Sequence, residues 1–138
     1  MGDFTVKRLD EIDSIFDGVV HRARASLGVS AFGMQVMDFP PSWEGYPNHD
    51  HMHDSSDERD LHQEEVYVAL AGSAALTLDG EVHELRPGVL ARVGPAQKRR
   101  IVPGPDGFRM VAVGGRPGAA YRPPAWTELA VPLPTPPA

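Results

Sequence analysis

Between Glu65 and Val113 the sequence is cut at short, regular intervals by Gly and Pro. Residues 66–70 end at Gly72, 74–78 at Asp79-Gly80, 82–85 at Pro87-Gly88 and 89–93 at Gly94-Pro95. Residues 99–102 run into Pro103-Gly104-Pro105-Asp106-Gly107, and 108–113 close the series. Helices of three turns do not fit between such stops, whereas strands of four to six residues do. Asp79-Gly80 between two apolar runs is the signal of a two-residue hairpin. Strands at this spacing predict an all-β barrel or sandwich. A length of 138 residues suits one domain, and the high share of Gly and Pro, 14 of each, agrees with short strands joined by turns.

The flanking segments read differently. Residues 5–20 carry a helical pattern, with Leu9, Ile12, Ile15, Phe16 and Val19 on one face, Asp10 as cap and Gly18 beyond the end. A short N-terminal helix packing on the barrel is expected there, followed by a solvated basic connector, His21 to Arg24. Residues 29–39 read as a strand in which Phe32, Met34 and Val36 alternate with Gly33, Gln35 and Met37, stopped by Pro40-Pro41. Trp43 and Tyr46 in the next loop either roof a pocket or anchor the loop. Residues 54–60 are acidic and without apolar periodicity, and predict a mobile solvated loop. Residues 116–138 form an extended Pro-rich C-terminal segment, with Tyr121 and Trp126 placed to dock it on the body or on a second subunit. The expected organisation is 1–28 as helix and connector, 29–115 as barrel and 116–138 as tail.

Charge and composition exclude several functions. The net charge is −6, and the basic cluster Lys98-Arg99-Arg100 is too short for a nucleic-acid surface. There is no cysteine, hence neither disulfides nor thiolate ligands nor thiol catalysis. No apolar run approaches a membrane span and no leader-like segment opens the chain, so a cytoplasmic protein is expected.

Four of the 6 histidines fall between positions 49 and 62. In an extended segment His49 and His51 project to one face, with His53 able to join them. Two imidazoles are half of a metal site, and Glu65, opening the next strand, is the carboxylate placed to complete it. Glu64 then points outward, and Tyr67 shares the Glu65 face.

Gly45, His49, His51, Glu65 and Gly72, with Leu85-Arg86-Pro87-Gly88 after them, resemble the cupins over about residues 29–115. The resemblance implies a double-stranded β-helix, or jelly-roll, barrel. In that family a Gly, a His-x-His pair, a Glu and a Gly seven positions later form the first motif. This chain departs from the pattern twice. Thirteen residues separate His51 from Glu65, where the family has about four, so the acidic stretch reads as an insertion at the barrel mouth. Arg99 stands where the second motif supplies its ligand His, and an arginine does not ligate.

Three readings stay open at this point. His49, His51 and Glu65 form a facial set for Fe, Mn, Ni or Zn. Alternatively His53 or His62 supplies a fourth ligand. In the third, no metal binds, and Arg99 faces an anionic ligand or pairs with Glu65. The corresponding functions are a metal-dependent cupin acting on a small organic molecule, as an oxygenase or isomerase, a metal-free anion-binding cupin, and a structural or interaction protein. Phe32, Met34, Tyr67, Phe108 and Arg99 are the expected pocket residues. A small-molecule ligand and a homodimer are the expected partners, with neither nucleic acid nor membrane.

Overall fold

Asp79 and Gly80 both take positive φ, 50° and 77°, the conformation a type I′ turn requires. They join β4 (Glu64–Leu78) to β5 (Glu81–Leu85), as the dipeptide predicts. The computed structural model describes residues 2–55 and 57–128. The Pro-rich end, residues 129–138, lies outside them. The remaining strands are β1 (Ser14–Ile15), β2 (Val20–His21), β3 (Gly33–Phe39), β6 (Leu90–Val93) and β7 (Arg100–Gly115). All pairings are antiparallel, in the order β1-β2-β3-β7-β4-β5, with β6 on β4.

The stops at Gly72 and at 103–107 bend strands without ending them. β4 and β7 pair along nearly their whole lengths, with register shifts between Ala69 and Ala71 and between Gly72 and Ala74. Gly72 has φ +73°, and a Cβ there would lie 2.1 Å from the Gly107 carbonyl oxygen. Only a glycine lets the two bent strands approach this closely.

Opposed residues in an antiparallel ladder share a face. Tyr67 opposes Ala112, which opposes Gln35, and Ala69 opposes Met110, which opposes Met37. Glu65, Tyr67 and Ala69 therefore share the interior with Gln35, Met37 and Phe39. The parity assigned to β3 is corrected accordingly: Phe32 and Met34 sit off this face, and Phe32 is 40% exposed. Below the bend the core continues through Ala74, Leu76, Leu85 and Ile101.

The N-terminal helix is also corrected. Residues 9–11 make one 3-10 turn, after which Phe16, Asp17 and Gly18, all at positive φ, turn β1 back into β2. Ile15, Val19 and Val20 are buried as expected, but from a hairpin added to the sheet edge. The helix forms later, at α1 (Ala23–Leu27), within the stretch read as a connector, and Gly28 at φ 82° caps it. Arg22 and Arg24 are buried there rather than solvated. Among the described residues, no helix is long and apolar enough to cross a membrane.

Gly72→Ala combines a strained positive φ with a backbone clash. It is expected to destabilise the fold by about 2–4 kcal/mol, read as a lower urea midpoint at unchanged slope.

Candidate metal centre

Glu65 enters the interior because β4 alternates faces, and a largely buried carboxylate, 16% exposed, needs partners. Three groups supply them at one oxygen, Oε1. Arg99 Nη1 donates at 2.7 Å, the Tyr67 hydroxyl donates at 2.9 Å, and His51 Nε2 lies at 2.9 Å. Among the described residues none donates to Oε2 of Glu65. Burial alone would raise the Glu65 pKa, but His51, Arg99 and Tyr67 outweigh it and hold the carboxyl down at about 2.

Arg99 is 0% exposed. Its Nε donates to the Gln97 carbonyl at 3.1 Å and its Nη2 to the Gly94 carbonyl at 2.6 Å. The guanidinium fork is thus divided between the turn before β7 and Glu65. Of the open readings for Arg99, the geometry displays the ion pair with Glu65, and a fully buried side chain with three engaged donors is poorly placed to receive an external anion.

The backbone of Arg99 fixes the histidine segment. His49 and Arg99 form an isolated bridge, with N–H···O bonds of 3.1 and 2.8 Å in the two directions. His51 N–H then donates to the Pro95 carbonyl at 2.8 Å. One donor atom each from His49, His51 and Glu65 comes together within 4.8 Å.

Both imidazoles have the tautomer a ligand needs. His49 Nδ1 lies 2.8 Å from the Pro47 carbonyl and His51 Nδ1 lies 2.7 Å from the Asp60 carbonyl. A carbonyl only accepts, so each Nδ1 carries the proton and each Nε2 presents its lone pair when the ring is neutral. His51 Nε2 is buried and faces Glu65 Oε1 at 2.9 Å. Burial, with the nearby His51 and Arg99 cations, pushes the His49 pKa down. Burial also works against protonated His51, but Asp60 and Glu65 prevail and push it up to about 10. A proton and a metal ion compete for that lone pair.

The donor set passes the chemical test for a divalent transition ion. It has two oriented imidazoles, a carboxylate ionised well into the acid range and a buried nitrogen, His51 Nε2, turned to that carboxylate. The further histidines do not join it. His53 is exposed and turns its Nδ1 to Asp50 at 3.2 Å, and His62 is exposed at φ 64°. Tyr67 stands beside Glu65, while Phe108 is buried against Phe39 in the core, with ring centroids 6.2 Å apart.

Two further contributors join the site, and the sequence offers only one of them, Tyr46, as a pocket roof or a loop anchor. Tyr46 is buried, its hydroxyl 3.2 Å from that of Tyr67 and its ring 5.2 Å from His49. It is therefore an interior wall as well as a loop anchor. Burial raises the pKa of both phenols, so they stay neutral. Asp60 acts through its backbone carbonyl, which no residue pattern announces. Its loop is also less bare than its composition predicts: Asp57 caps a 3-10 turn over Glu58–Asp60, and Asp54 pairs with Lys98 at 2.7 Å.

No family model matches the sequence, and no curated protein does. Solved structures do. A cupin protein from Bacteroides fragilis is similar at 23% identity and TM-score 0.63, covering 96% of this chain and 100% of its own. A cupin 2 conserved barrel domain protein from Salinispora arenicola is similar at 18% identity and TM-score 0.61, covering 84% and 92%. A sugar phosphate isomerase of the cupin superfamily from Silicibacter pomeroyi is similar at 21% identity and TM-score 0.63, covering 81% and 76%. The chain has the cupin fold, a small double-stranded β-helix barrel.

Arg99→Ala leaves Glu65 and two carbonyls without their buried donor and is expected to cost about 3–5 kcal/mol in a denaturant titration. Glu65 has its pKa depressed, so its contribution to stability is complete above about 4.5 and is lost as pH falls toward about 2. Stability measured across that window should fall with acid in the wild type, and Glu65→Gln should flatten that fall.

Proposed function

We propose that the protein is a metal-dependent cupin, in which His49, His51 and Glu65 hold one divalent transition ion and the barrel acts on a small organic molecule. The observation that carries this reading is the matched pair of imidazoles. Each has its Nδ1 tied to a backbone carbonyl, and the buried Nε2 of His51 faces Glu65 at 2.9 Å. Three protein donors leave coordination positions open for a substrate oxygen, as suits Fe(II), Mn(II), Ni(II) or Zn(II). A bound ion would supply Lewis acidity to a substrate carbonyl or hydroxyl.

The chain's own residues define what surrounds that position. Tyr67 and Arg99 hold Glu65 Oε1, and Oε2 would be the oxygen free to ligate an ion. Tyr46 backs Tyr67 and walls one side of His49. The aromatic and apolar interior, with Phe39 and Ala112 nearby, excludes water below the site. Isomerisation of a small hydroxy- or oxo-compound is the reaction we favour over oxygenation. It needs only a polarised oxygen and a proton shift, and one of the similar structures is named a sugar phosphate isomerase.

Elemental analysis of tag-free protein tests the reading. About one equivalent of a transition metal is expected, lost in His49→Ala/His51→Ala while the circular dichroism spectrum is unchanged. Full metal retention by the double variant, or no uptake by the wild type from Fe(II), Mn(II), Ni(II) or Zn(II), would sink it.

A further inference from the structure

We infer that the C-terminal strap, residues 121–128, is a positioning element of the metal centre and acts on His51 through Asp57. The inference rests on the metal reading above and assigns part of the ligand geometry to a segment outside the barrel.

The strap is pinned at both ends. At its far end Glu128 takes Arg24 Nη2 on its carboxylate at 2.5 Å and Arg22 on its backbone carbonyl, and both arginines are buried. At its near end the Tyr121 hydroxyl lies over Gly33, where a Cβ would come within 2.7 Å of it. Gly33 opposes Gly114, and Gly114 opposes Glu65, so Tyr121 rests over the row of the barrel that carries the carboxylate. Gln63 fills the space over Gly114 in the same row. The strap therefore crosses the barrel on the side of the metal centre.

From its middle a continuous run of hydrogen bonds reaches a ligand. Ala125 N–H donates to Asp57 Oδ2 at 3.1 Å. Asp57 Oδ1 accepts Arg59 N–H at 3.0 Å and so caps the 3-10 turn over Glu58–Asp60. The last residue of that turn, Asp60, offers the carbonyl that holds His51 Nδ1–H. A three-residue turn has little stability of its own, so its anchors set its position. The tether from Ala125 is what joins this turn to the strap. Freeing it lets the Asp60 carbonyl drift, and the His51 ring loses its fixed orientation and tautomer. Asp57 is thus a positioning residue, two hydrogen-bonded steps from the imidazole.

The test uses the full chain with Asp57→Ala, Asp57→Asn, Glu128→Ala and the Asp57→Ala/Glu128→Ala double variant, and Ile101→Val as a core-destabilised control. Two readouts are taken well below the melting temperature: Co(II) affinity by chelator competition, and the His51 Nδ1–H signal in proton–nitrogen NMR of metal-free protein. We expect Co(II) binding about three- to tenfold weaker in each strap variant, less than the roughly 10–100-fold lost at a direct outer-shell partner, because Asp57 acts one step further out. The double variant should be no worse than Asp57→Ala, because both substitutions cut one path. The His51 signal should exchange faster in the strap variants and stay unchanged in Ile101→Val. Affinity within twofold of wild type together with an intact His51 signal in all strap variants overturns the inference, as does an equal loss in Ile101→Val. If wild-type protein takes up no Co(II), the metal reading fails, and the NMR readout alone decides: a signal lost in the strap variants supports positioning of His51, and a signal retained overturns it.

Discussion

The carboxylate of Glu65, largely buried on the interior face of β4, is the constraint from which the site is built. An ionised group placed there loses several kcal/mol of hydration, which only close and well-aligned partners restore. Arg99 is that partner. A buried guanidinium has donors of its own to satisfy, and these draw in the Gly94 and Gln97 carbonyls. The turn between β6 and β7 is thereby fixed. The backbone of Arg99 then bridges to His49, so the histidine segment is registered against the same residue. One charge in the sheet thus determines the turn, the arginine and the approach of both imidazoles.

The same interaction sets the electrostatics a metal ion would meet. Arg99 keeps Glu65 ionised, which favours ligation, yet its own charge repels a cation a few ångströms away. The two effects pull in opposite directions, and the imidazoles shift the balance. Desolvation, with two cationic groups nearby, pushes the His49 pKa down and so favours its neutral form. His51 would be the adjustable member, since a proton on its Nε2 excludes a metal ion. A centre of this kind exchanges one cation for another without leaving Glu65 uncompensated.

How far the sequence disclosed all this depended on whether a residue's role was carried by its side-chain type. His49, His51 and Glu65 stand out because imidazole and carboxylate at those spacings have few other uses, and Arg99 stands out as a cation where a ligand is expected. The hairpin at Asp79-Gly80 was legible for the same reason: both positions need positive φ. The phase of β3 was not, because both of its faces are covered. Val36 is as buried as Gln35, with α1 packed against β3 and β2 paired beside it, so apolar alternation carries no phase. The pattern of Leu9, Ile12, Ile15 and Val19 satisfies a helical period and a tight hairpin equally. The turn-forming Phe16-Asp17-Gly18 decides between them, and only the Asp-Gly pair was a visible cue. Asp57 and Asp60 were hidden in an acidic run because what matters in Asp60 is its backbone carbonyl.

These divisions separate the site into two mechanical parts. Glu65, Tyr67 and Arg99 belong to the barrel and are locked by the sheet and by each other. His49, His51 and Asp60 belong to a segment between β3 and β4 that is held by a bridge, a few hydrogen bonds and the strap. An ion bound to His49, His51 and Glu65 would cross-link the two parts, so part of its binding free energy would go into ordering the segment. Any pre-ordering of the segment by other contacts returns as affinity. Substitutions in the barrel would therefore be felt first as stability, and substitutions in the segment and its tethers first as metal affinity. The thirteen residues between His51 and Glu65 are then more than a tolerated insertion, since they contain the carbonyl that aims His51 and the aspartate that holds that carbonyl in place.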